Sequence, residues 1–167
     1  MALHDDLLDQ ADHLASREPK KPRQASLRRA VSAAYYALFH LLAAEGAQRL
    51  VPAQPTLLRA QVRRAYVHTN MKEVCQQFSR RHLPAALAPL LTSPIEADLV
   101  AVAEAFVALQ EARHEADYDF TATFNRIDVL QKVQRARAAV ASWQAVRSKP
   151  NATVFLAALL LQRQWRP

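Results

Sequence analysis

Residues 24–50 read QASLRRAVSAAYYALFHLLAAEGAQRL, and this stretch decides the fold. From Ala30 to Ala44 almost every position is alanine, aliphatic or aromatic, with no glycine or proline to break the run. Such a segment has high helix propensity and too little polar surface to leave more than a narrow strip in water. It therefore reads as a central helix from about Gln24 to Leu50, covered on most sides by other helices.

Working outward, the flanking segments repeat the helical period. Leu3, Leu7, Leu8, Ala11, Leu14 and Ala15 mark a first amphipathic helix that the Pro19 to Pro22 segment ends. A third helix is expected from Thr56 as its cap, carrying Leu58, Val62, Ala65, Val74, Cys75 and Phe78, with a break near Thr69 and Asn70. Pro84, Pro89 and Pro94 make a loop, after which Ser93 and Pro94 suit the N-cap and first position of a fourth helix running to Tyr118. A fifth helix is expected near Thr123, its stripe formed by Phe124, Ile127, Leu130, Val133, Ala136, Val140 and Trp143, and Pro150 ends it. Asn151 is placed to cap a sixth, very apolar helix over Ala152 to Gln164, whose large side chains must pack on the same bundle or across a dimer. With one glycine in 167 residues, strands would lack their hairpin turns. The expectation is an all-α, up-and-down bundle of about four core helices with shorter flanking ones, forming one domain over 1–167.

Composition excludes several chemistries. A lone Cys75 allows neither an internal disulfide nor a cysteine-based zinc cage, and one glycine rules out a glycine-rich phosphate loop. Asp5, Asp9 and His13 share a face that reads as solvated, and Glu111 with His114 has the spacing of half a di-iron site whose second half is missing, so no metal or cofactor is expected. The first helix carries Asp5, Asp6, Asp9 and Asp12 where a signal peptide would be apolar, and the apolar run Val154 to Leu161 is too short to span a bilayer, so a cytoplasmic protein is expected. Residues 17–81 hold thirteen Lys or Arg against three Glu, whereas 95–119 hold seven acids against Arg113 alone. That asymmetry suits a basic face for a polyanion and an acidic face for a basic partner or a second copy.

Two constellations carry candidate chemistry. Ser32, Tyr36 and His40 are four apart and stack on one face of the central helix. On the fourth helix Val102, Phe106, Leu109 and Arg113 form one stripe, so Arg113 faces inward and requires a counterion from Asp117, Glu111 or a bound phosphate. His114, Asp117, Tyr118 and Asp119 crowd the same turn.

The stretches SAAYYALFH (32–40) and RHEADYD (113–119) together resemble the bacterial and archaeal branch of the HEPN family (higher eukaryotes and prokaryotes nucleotide-binding). The resemblance covers roughly residues 1–147 and leaves 150–167 as an additional C-terminal helix. It implies a dimerising helical bundle, a toxin-type module beside a nucleotidyltransferase antitoxin, and in some members a metal-independent ribonuclease. The alternative it implies is a non-catalytic module that binds a nucleotide or that partner; RNA or a nucleotide is the expected ligand. By the resemblance Arg113, His114 and Tyr118 are the candidate catalytic residues, and Ser32, Tyr36, His40 and Asp117 line the groove. In ribonuclease members a histidine follows the arginine after four to six residues, whereas five on from Arg113 stands Tyr118. Arg63 and His68 have the family spacing, but in the third helix, outside the place that the pattern gives.

Overall fold

The computed structural model describes residues 2–53 and 55–165. Among them are seven α-helices and no strand: α1 (Leu3–Ser16), α2 (Gln24–Leu50), α3 (Thr56–Arg64), α4 (His68–Ser79), α5 (Ala97–Tyr118), α6 (Arg126–Val146) and α7 (Pro150–Leu161). They pack as a helical bundle around α2, which touches α1, α3, α5, α6 and α7. No helix among the described residues is long and apolar enough to cross a membrane.

The central helix has the bounds that its sequence suggests, and sixteen of its residues are buried. Six of these are alanines between Ala30 and Ala47 that let neighbouring backbones come close. The closest approach is at Gly46. A Cβ built there would lie 1.8 Å from the Tyr66 hydroxyl oxygen and 2.5 Å from its Cζ. Tyr66 cannot swing away easily, because it is buried and its hydroxyl donates to the Leu156 carbonyl of α7 at 3.2 Å.

Element ends depart from the sequence expectations where tertiary contacts outweigh local signals. The expected third helix is two helices, and the break falls at Ala65 to Val67 rather than at Thr69 and Asn70. Val67 is extended, Tyr66 turns inward, and Pro55 rather than Thr56 holds the cap position of α3. α3 buries no residue, so Leu58 is exposed and Val62 only half-buried; Val74, Cys75 and Phe78 of α4 do reach the core. α5 starts at Ala97 with Glu96 as its cap, not at Ser93 and Pro94. The Asn151 amide bonds Thr92 N and O at 2.8 Å each and Glu96 Oε2 at 2.9 Å, fastening this segment to α7. Asn151 is therefore a buried cross-link and not a cap; Lys149 caps α7 and Pro150 opens it. α6 starts at Arg126 behind a true Asn125 cap, whose side chain accepts from Asp128 N at 2.9 Å. Ile127 is 70% exposed, and Val129, Ala139 and Val146 join Val133, Ala136 and Trp143 on the buried stripe.

α7 packs on its own bundle. Phe155 meets Phe78 edge-on at 4.9 Å and lies 6.4 Å from Trp143, while Leu156 and Leu159 are fully buried beside them. Asp9 and Asp12 of α1 bind Arg137 of α6 at 3.0 and 2.5 Å, so part of the acidic face of α1 is paired rather than simply solvated.

Gly46→Ala is expected to destabilise the protein by about 1–3 kcal/mol through overpacking against Tyr66, outweighing the ~1 kcal/mol gain in helix propensity. Urea unfolding measures it, and the loss should shrink in a Tyr66→Phe background, which lacks the closest atom. A Gly46→Ala variant as stable as the parent contradicts this packing.

Candidate functional site

Burial of α2 leaves its polar side chains dependent on neighbours, and those neighbours converge on Tyr36. From α5, the Arg113 Nη2 donates to the Tyr36 hydroxyl at 3.0 Å, and its guanidinium carbon lies 5.5 Å from the Tyr36 ring centre. Arg113 Nε stands 2.7 Å from Asp117 Oδ2, but its N–H makes no directed hydrogen bond, so the contact is an ion pair. The Asp117 carboxylate is fixed in turn by the Ser32 hydroxyl, which donates to Oδ1 at 2.7 Å. Both charged side chains are only about one-fifth exposed, at 19% and 22%. Burial opposes the charge of Arg113, but Tyr36, Asp117 and Tyr118 outweigh it, and the guanidinium stays ionised.

Two imidazoles also pack against the Tyr36 ring. The His40 ring stacks on it at 5.9 Å, and the His68 ring meets it edge-on at 5.8 Å. His68 opens α4, where the break after α3 turns it inward to stack on Phe39 at 4.2 Å. Gln110 of α5 donates to its backbone carbonyl at 3.3 Å. Burial, then the Arg113 charge and then His40 push the His68 pKa below its ordinary value. Burial and then Arg63 do the same for His40. Both rings are therefore neutral at pH 7.

The tautomer of His68 follows from its partner. Nδ1 lies 2.6 Å from the hydroxyl of Tyr35, a fully buried phenol whose pKa burial raises. That phenol keeps its proton and has no other acceptor among the described residues, so it donates to Nδ1. The His68 hydrogen then sits on Nε2.

Of the sequence candidates, Ser32, Tyr36, His40, Arg113 and Asp117 thus come together. Tyr118 is 58% exposed and covers Arg113, with 5.6 Å from its ring centre to the guanidinium carbon. His114 is exposed and contacts the Tyr118 ring at 5.0 Å, away from the hub on Tyr36. Sequence reasoning missed His68. Its spacing from Arg63 was visible, but reading 56–78 as one interrupted helix put it on the wrong turn. Comparison of the chain with protein-family profiles, characterised proteins and solved structures gives no match. The reading of the site therefore rests on its own geometry.

That geometry sets a pH dependence. His40 and His68 have lowered pKa values when folded, so the unfolded chain binds more protons between those values and about 6.5. Their contribution to stability is present above that range and lost as pH falls through it. Urea unfolding at pH 7.5 and 5 should show a loss of stability on acidification that is smaller in a His40→Gln/His68→Gln variant. An identical slope in parent and variant contradicts the assignment.

Proposed function

We propose that the chain is a HEPN-like, toxin-type module of up-and-down bundle topology that acts on RNA as a metal-independent ribonuclease in homodimeric form. The observation that carries this reading is the gathering of Arg113, His40 and His68 around the single ring of Tyr36, each within 6 Å of its centre. A permanent cation beside two neutral imidazoles is the set that phosphodiester cleavage needs when no metal assists.

In the reaction, His40 takes the proton of a ribose 2′-hydroxyl, whose oxygen attacks the adjacent phosphorus. Arg113 stabilises the charge on the phosphorane, and the His68 Nε2–H donates to one of its non-bridging oxygens. The bond to the 5′-oxygen breaks, and that oxygen takes the proton back from His40. The products are a 2′,3′-cyclic phosphate and a 5′-hydroxyl. Ser32 and Asp117 act as positioning residues that hold the guanidinium in plane. Tyr118 closes over the guanidinium from the solvent side.

A second reading also has support. Asp117 already balances the charge of Arg113 at 2.7 Å, an arrangement that suits a non-catalytic module for a nucleotide or a nucleotidyltransferase antitoxin. The two readings differ in one assay. Purified protein with excess EDTA should cleave single-stranded RNA to cyclic-phosphate ends, with a rate that falls as pH drops through the lowered His40 value. Arg113→Ala should slow cleavage by about 10²-fold or more while leaving the melting curve cooperative. RNA binding without cleavage favours the second reading, and cleavage unaffected by Arg113→Ala removes that residue from the mechanism.

A further inference from the structure

Beside the Tyr36 hub, α1, α2 and α3 line an open groove of about 400 Å³, of which the reaction above uses His40 alone. Its floor is apolar, formed by Phe39 and Ala43 of α2 with Tyr66 beyond the end of α3. Its rim carries Arg63 and Arg64, and no carboxylate lines it. His40 belongs to both the groove and the hub, so the two are continuous.

Several arginines of the fold are engaged by other groups; among those that are not, Arg63 and Arg64 are the ones that line this groove. Arg28 binds the carbonyls of Ala116, Asp119 and Ala122, Arg126 those of Ala15, Pro19 and Glu18, and Arg137 two aspartates. Arg63 and Arg64 are exposed and make no hydrogen bond or ion pair among the described residues. Two unengaged guanidinium groups over an apolar floor ask for a ligand that is anionic at one end and flat and apolar at the other. The volume falls in the range that suits small-molecule sites, roughly 300–1,000 Å³.

We propose that this groove is a nucleotide subsite, in which Arg63 and Arg64 hold a phosphate and the Phe39, Ala43 and Tyr66 floor receives the base. It rests on the RNA reading only for its role, as the place where the strand continues past the residue bound at Arg113. Arg63 is near enough to His40 to depress its pKa, so a phosphate seated on Arg63 relieves that effect and makes His40 more basic. Occupancy of the groove thereby tunes the base of the neighbouring hub.

The test uses two probes on the full-length protein. A single-stranded oligodeoxynucleotide, which lacks the 2′-hydroxyl and so is not cut by this route, reports strand binding by fluorescence anisotropy. AMP reports the subsite alone through nuclear magnetic resonance shifts of Phe39, His40 and Ala43. In an Arg63→Ala/Arg64→Ala variant, oligonucleotide affinity should fall about tenfold or more. The slope of log affinity against log salt should shrink by about 0.7, the value for one lost phosphate contact on a single strand. AMP should no longer shift the groove resonances, and Arg63→Lys/Arg64→Lys should retain part of the binding. Both side chains are exposed, so melting should be unchanged. Unchanged affinity and salt slope in the alanine variant, or AMP shifts that avoid the groove, overturns the proposal. So does a change of oligomeric state on mutation in place of a binding loss, which assigns the groove to a second copy. If the parent protein cuts no RNA yet AMP binding depends on Arg63 and Arg64, the subsite stands and the ribonuclease reading fails. If RNA is cut and the alanine variant binds and cuts as the parent does, the reverse holds.

Discussion

Burial of the middle of α2, sixteen of whose residues are buried, is the constraint on which the rest of the structure depends. A 27-residue helix enclosed by five others can carry few polar groups, and each requires a partner from a neighbouring element. Ser32 finds Asp117, Tyr35 finds His68, and Tyr36 finds Arg113. The candidate site is thus the polar seam of the core rather than an addition to its surface. Its geometry is held by the same packing that holds the fold, and the small residues that admit close neighbours, above all Gly46 against Tyr66, are part of the site's support.

What could be read in the sequence followed the strength of its periodicity. The bounds of α2 were legible because an uninterrupted apolar run of high propensity leaves only one element type. The need of Arg113 for a counterion was legible too, since a cation on an apolar stripe is not left unpaired, but the choice of Asp117 over Glu111 or a phosphate came from the structure. Helix starts were less legible. Ser93 and Asn151 have the chemistry of caps, but a tertiary bond from Asn151 to Thr92 and Glu96 gave both segments other roles. Ile127 fits the stripe of α6 by spacing alone. The true cap at Asn125 fixes where that helix begins, and Val129 faces the core in its place.

His68 shows why the rest was hidden. Its position depends on the chain leaving the helix between Ala65 and Val67, where Val67 is extended, so that Tyr66 can turn inward and bond α7. No local signal announces that break, because it is made by a contact with residue 156, far along the chain. Charge was deceptive in a related way. Counting arginines suggested a broad basic face, yet Arg28 and Arg126 bind backbone carbonyls at helix ends and in linkers, where a guanidinium completes orphaned acceptors. Only a structure separates these from arginines without a partner among the described residues, such as Arg63 and Arg64 on α3.

The central claim is that burial, aided by Arg63 at His40 and by Arg113 at His68, keeps two imidazoles neutral against Tyr36, with the proton of His68 on Nε2. Long-range nitrogen–proton correlation spectra of the histidine rings across a pH titration measure this directly. The account predicts that His40 and His68 both titrate below 6.5, and that His68 at neutral pH gives the shift pattern of a protonated Nε2 and an accepting Nδ1. A His68 that titrates like a solvent-exposed imidazole, with its two nitrogens averaged, would contradict it.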